Sequence, residues 1–117
     1  MKKKTQIVNL TYLEDMSGGS EGVMKEMISI FISQVSEFAG EMKDLYDKKE
    51  YFTLGNLIHK AKSSISIMGM ENLAKEMKEF ELLAKEEKDV DKYEGFINHF
   101  KQSCNEAIDE LKEIIKE

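Results

Sequence analysis

His59 and His99 are the only imidazoles in the chain, and Cys104 is its only thiol. Imidazole has an unperturbed pKa of about 6.5, so an accessible ring near pH 7 is largely neutral and nucleophilic. His59 lies in the run Ile58, His59, Lys60, Ala61, Lys62, Ser63, Ser64, Ile65, Ser66. On a helix turning about 100° per residue it points about 140° away from the mean direction of Leu54, Ile58, Ala61 and Ile65, and so faces water. Gly55, Asn56, Lys62, Ser63 and Ser66 fall within about 60° of it on the same face. The spacing therefore predicts an imidazole standing up from a surface of small residues, open to a close-fitting partner. The charge of Lys62, and less directly that of Lys60, favours the neutral ring and attracts a phosphoryl group, each by on the order of 1 kcal/mol or less in a water-like dielectric. His99 sits among Phe96, Asn98 and Gln102 without a comparable set of small residues and reads as structural or inert.

The elements that must position His59 are helices. The chain has no Pro, is rich in Lys, Glu, Met and Leu, and repeats its apolar residues close to every 3.6 positions. A short first helix is expected from Thr11, with Thr11 and Glu14 as a capping box, an apolar side of Leu10, Leu13 and Met16, and a stop at Ser17, Gly18, Gly19. Ser20 caps a long second helix with the stripe Met24, Met27, Ile28, Phe31, Val35, Phe38, Met42, Leu45, in which Gly40 is a weak point. Asp47 and Glu50 suggest another capping box, opening a third helix on Leu54, Ile58, Ala61, Ile65 and Met68 that ends near Gly69. A fourth carries Leu73, Met77, Phe80 and Ala84. After the polar turn Glu86 to Asp89, a box of Asp91 and Glu94 opens a fifth with Tyr93, Ile97, Phe100, Cys104, Ala107, Leu111 and Ile114. The expected fold is all-α, a single domain over residues 1–117. Its four long helices form an antiparallel up-down-up-down bundle with the short N-terminal helix covering one end.

Composition excludes several functions. All 17 basic residues are Lys, and the net charge is -6, so nucleic acid is not an expected partner. One Cys forms no internal disulfide, which fits a reducing compartment. The start Met1, Lys2, Lys3, Lys4 is not followed by an apolar run of signal-peptide length, and no stretch approaches the roughly 20 apolar residues of a membrane span. The expectation is a cytoplasmic monomer. No metal is expected: a carboxylate bundle site uses Glu-x-x-His pairs, and Asn56 and Phe96 occupy the positions three before the histidines. Gly18 and Gly19 follow no strand and precede no Gly-Lys-Ser/Thr, so they make no nucleotide loop. The Met residues read mostly as core filler, the alternative being that some of them join Phe52 and Ile30 in a plastic docking patch.

His59, Lys62, Ser64 and Gly69 reproduce the spacing H-x-x-K-x-S-x-x-x-x-G, which resembles that of histidine-containing phosphotransfer (HPt) domains. Leu10, Tyr12, Leu13, Glu14, Gly18 and Gly19 look like that family's opening helix and turn, and Glu79, Phe80 and Glu81 look like its acidic stretch on the following helix. The resemblance implies a phosphorelay intermediate: His59 accepts a phosphoryl group from a receiver-domain phosphoaspartate and passes it to another receiver. It also implies that Lys62 supports the phosphoryl group, and that Glu81 orients the other imidazole nitrogen. Phe52, Gly55, Asn56, Ser63 and Ser66 would border the docking partner. The implied partners are response-regulator receiver domains and a hybrid sensor histidine kinase, with any Mg²⁺ on the receiver and no cofactor on this chain. No ATP-binding motif is visible, so the chain is expected to be a shuttle and not a kinase. Ser63 stands where the family most often has Gly, and Ile65 where it commonly has a smaller residue, departures that bear on partner fit. The alternatives are a non-catalytic helical adaptor using the same face, and a domain belonging to a larger sensor or chemotaxis kinase. Met1 and the five-helix pattern favour a free-standing protein over the latter.

Overall fold

The apolar stripes become helices throughout the computed structural model, which describes residues 8–116. The order is α1 (Thr11–Ser17), α2 (Glu21–Asp47), α3 (Tyr51–Ile67), α4 (Glu71–Glu86) and α5 (Tyr93–Lys116), with a 3₁₀ turn over Val90–Lys92 leading into α5. No strand occurs among the described residues. The lysine run Lys2 to Lys4 lies outside them, as do the side chains of Tyr12 and Ile114.

Each long helix turns its stripe inward. Ile28, Phe31, Val35 and Met42 come from α2, Leu54, Ile58, Ala61 and Ile65 from α3, Leu73, Met77, Phe80 and Ala84 from α4. The α5 contribution is Ile97, Phe100, Cys104, Ala107 and Leu111, with Tyr93 at its head. Burying each of the larger of these side chains is worth about 1.5–3 kcal/mol, which is why helices of modest intrinsic propensity hold together. Cys104 is fully covered, and burial pushes its thiol up to about 12. α2 packs against α3 and α5, α4 packs against the same two, and the α3–α4 contact is the most extensive. α1 rests on α2. In α1, Leu13 is buried as expected but Met16 is exposed. The helix instead turns Ser17 inward, its hydroxyl donating to Glu14 O at 3.0 Å.

The helix ends correct several capping expectations. Ser20 caps α2 as anticipated, its Oγ accepting from Val23 N–H at 3.3 Å. Thr11 is not a cap but the first helical residue, and its N–H donates to Asn9 Oδ1 at 3.0 Å. Asp47 belongs to the last turn of α2, and Glu50 precedes α3 without a side-chain cap bond. The reason lies in how α2 closes: Glu50 N–H donates to Leu45 O and Lys49 N–H to Tyr46 O, with Lys49 in the left-handed region at φ 63°. That turn consumes the residues an Asp47 cap would need. Asp91 likewise sits inside the 3₁₀ turn and does not open α5.

Gly69 ends α3 as expected. It has φ 74°, with Gly69 N–H donating to Ser66 O and Met70 N–H to Ile65 O. A Cβ there would also collide with the backbone of Asn9, whose N–H donates to Met68 O at 3.0 Å. The position needs Gly for its dihedral and for its neighbour. At the other end of α4, the Tyr93 hydroxyl lies 2.8 Å from Leu83 O and 2.6 Å from Lys88 O and shares its one proton between these carbonyls. Tyr93 thereby ties the last turn of α4 to the start of α5.

Candidate functional site

The site grows from α3 and α4 lying side by side. His59 occupies the middle of α3, on the face opposite Leu54, Ile58 and Ala61, and its side chain is 62% exposed. Across from it, α4 buries Phe80 and carries Glu81 beside it at the helix–helix seam, where its side chain is only 8% exposed. A carboxylate in that position requires partners, because an unpaired buried charge is costly. Glu81 has three. Its Oε2 lies 3.0 Å from His59 Nδ1 and 3.0 Å from Lys85 Nζ, and its Oε1 accepts from Lys62 Nζ at 2.9 Å.

Burial alone would raise the Glu81 carboxyl, but hydrogen bonds and charge from Lys62 and Lys85 outweigh it and hold the group down to about 2. The carboxylate is therefore ionised at neutral pH and is acceptor-only, so His59 Nδ1 must be the donor in their contact. The proton of a neutral ring is then fixed on Nδ1, and Nε2 carries the free lone pair. One carboxylate against two ammonium groups leaves the cluster around the neutral imidazole with a net charge of +1. A chain of net charge -6 thus presents its exposed imidazole in a locally positive setting.

The residues singled out by the sequence divide into two groups. His59, Lys62 and Glu81 come together within hydrogen-bonding distance. Asn56, Ser63, Ser66 and Phe52 are exposed along α3, Phe52 at 55%. Gly55 is the exception, and the open docking position expected for it needs correcting: it is buried against α4. A Cβ there would stand 2.6 Å from Lys85 Cγ and 3.3 Å from Glu81 O. A wheel drawn for one helix does not reveal where the next helix covers it. Lys62 is also less open than a surface ammonium, since its side chain is 22% exposed and engaged by Glu81. Ser64, part of the motif spacing, donates from its hydroxyl to Gln34 Oε1 at 2.8 Å and links α3 to α2.

Lys85 is the member of this cluster that the sequence reading missed. The available signal was its position four after Glu81, the spacing at which helix residues pair. His99 offers an internal comparison. Its Nδ1 lies 2.8 and 2.7 Å from the two oxygens of Glu76, yet no lysine pairs with Glu76 among the described residues. A cleft of about 490 Å³ lies beside His99, lined in part by Asn9, Asn72, Glu76 and Ser103, and not beside His59.

Among the described residues no group of three His, Cys, Asp or Glu side chains could hold a metal ion. No helix of the described residues is long and apolar enough to cross a membrane. Comparison of the chain with protein-family models, with curated proteins and with solved structures finds no match.

Proposed function

We propose that the protein is a phosphohistidine shuttle, taking a phosphoryl group from a receiver-domain phosphoaspartate onto His59 Nε2 and passing it to a second receiver. The observation that carries this reading is the Glu81 carboxylate on His59 Nδ1, which leaves Nε2 of an exposed side chain as the nucleophilic nitrogen. In the step itself the Nε2 lone pair forms a bond to phosphorus. The bond from phosphorus to the aspartyl oxygen breaks, and its electron pair leaves with the aspartate carboxylate. No proton has to move, because Nδ1 keeps its hydrogen. The ring gains a positive charge that faces Glu81, while the incoming phosphoryl oxygens meet the net positive charge of the cluster. Transfer onward is the same displacement in reverse, onto the aspartate of the next receiver.

On this reading the chain needs no ATP site, and the Mg²⁺ that phosphoaspartate chemistry employs belongs to the receiver. The partners are receiver domains of response regulators and of a hybrid sensor histidine kinase, met by a monomer in the cytoplasm. The helix adjacencies support an antiparallel up-down-up-down arrangement of α2 to α5, with α1 as an additional short helix. Within it, the exposed line of Phe52, Asn56, His59, Ser63 and Ser66 forms the docking strip.

The deciding experiment incubates the protein with a panel of phosphorylated receiver domains. Wild-type protein should acquire an acid-labile, base-stable label. His59→Gln should acquire none while melting within about 0.5 kcal/mol of wild type, because the site lies off the core. Label persisting in His59→Gln would move the acceptor elsewhere. Receiver binding without any labelling would favour the adaptor reading.

A further inference from the structure

The shuttle reading uses His59, Lys62 and Glu81, but leaves two features of the same seam unexplained. Gly55 lies inside α3, where Gly weakens a helix relative to Ala. Lys85 directs its ammonium group toward a site already served by Lys62. Each accounts for the other. The Lys85 stem crosses the α3 backbone at the place where Gly55 has no side chain, its Cγ only 2.6 Å from where a Cβ would stand. From there its Nζ reaches Glu81 Oε2, the oxygen that faces His59 Nδ1. Lys62 approaches from the other side and takes Oε1. The carboxylate is thus gripped at both oxygens, and its rotation about the last side-chain bond is stopped.

We propose that Lys85, admitted across α3 by the absent side chain of Gly55, is a positioning residue that holds Glu81 Oε2 against His59 Nδ1 and so fixes Nε2 as the reacting nitrogen. It acts through Glu81 and does not touch the imidazole. Lys62 alone leaves Oε2 without a cation, and the carboxylate is then free to swing that oxygen away from the ring. Lys85 also adds the second positive charge that turns a neutral Glu81–Lys62 pair into a net positive cluster. Part of the expected effect rests on the shuttle reading, since the transfer rate has meaning only if phosphotransfer occurs. The ring geometry does not.

Two measurements on the full chain separate these. The first is ¹⁵N NMR of the His59 imidazole above pH 7, which reads the share of the Nδ1–H tautomer. The second is the rate of phosphoryl transfer from a phosphorylated receiver. Lys85→Met preserves the stem that covers Gly55 and removes the ammonium. It should lower the Nδ1–H share and slow transfer about tenfold, which is about 1.4 kcal/mol of lost transition-state stabilisation. Lys85→Arg should restore both. Gly55→Ala should shift the tautomer in the same direction, and by less in a Lys85→Ala background, where there is no stem left to displace. A residue with only a packing role would change the melting temperature and leave the tautomer alone.

An unchanged tautomer share in Lys85→Met overturns the proposal, whatever the transfer rate. A shifted share that Lys85→Arg restores sustains the positioning role even if no receiver phosphorylates the wild-type protein. In that case the shuttle reading falls by itself.

Discussion

Glu81 serves two ends with one carboxylate: it is the counter-ion of Lys62 and Lys85, and it is the acceptor for His59 Nδ1. Its titration links the site to stability. The folded carboxyl ionises at about 2, against 4.5 for an unperturbed one, so the native state is favoured fully above about pH 5.5 and loses that advantage as pH falls through 4.5 toward 2. The shift corresponds to at most about 3 kcal/mol, and nearer 1–2 kcal/mol once solvent screening of the partly exposed ammonium groups is counted. Glu81→Gln should therefore be less stable than wild type by about that amount at pH 7, with the gap closing near pH 2. Urea denaturation at both pH values checks it, and an equal gap at both would detach the stability from this ionisation. At this scale the sequence was readable wherever chemistry and spacing lay on one helix, as for His59 and Lys62. Glu81 was reachable only through a family resemblance. Gly55 and Lys85 take their meaning from the packing of α3 on α4, which no single-helix wheel contains.

The five helices were legible because each stripe repeats at the helical period over several turns, and burial of that stripe decides the outcome more strongly than local propensity. Their ends were less so. A capping box is recognised from a pair of residues three apart, and Asp47 with Glu50 satisfies that pattern while lying within and after the terminal turn of α2. The closing hydrogen bonds around Lys49 belong to the helix before and override the start signal of the helix after. Gly40 is a weak point of propensity inside a helix that runs through it unbroken, and nothing beyond the helix's own backbone lies within 4 Å of where its Cβ would be. Gly40→Ala should therefore stabilise the protein by about 0.5–1 kcal/mol, from helix propensity alone. Thermal or urea denaturation measures this. Destabilisation would mean that the open surface at Gly40 is occupied by something in solution.

The molecule measures 45 × 24 × 20 Å with a radius of gyration of 14.8 Å, compared with about 13 Å for a compact domain of this length. The elongation follows from α2, whose 27 residues span about 40 Å. His59 lies midway along α3, so a partner reaching it must lie along the flank of the protein and not cap an end. The enclosed core also has a kinetic consequence. Cys104 sits in the part of α5 that packs between its neighbours, fully covered and with its thiol held protonated by burial, so a thiol reagent added to the native protein meets no reactive sulfur. Modification has to wait until α5 leaves the core. As reagent concentration rises, the labelling rate should therefore level off at the opening rate of the helix, and that plateau should equal the global unfolding rate extrapolated from denaturant. A faster plateau would show α5 detaching on its own while the α3–α4 seam stays closed. The lone sulfur thus acts as a clock for how often the interior opens, running without any cysteine having to be engineered in.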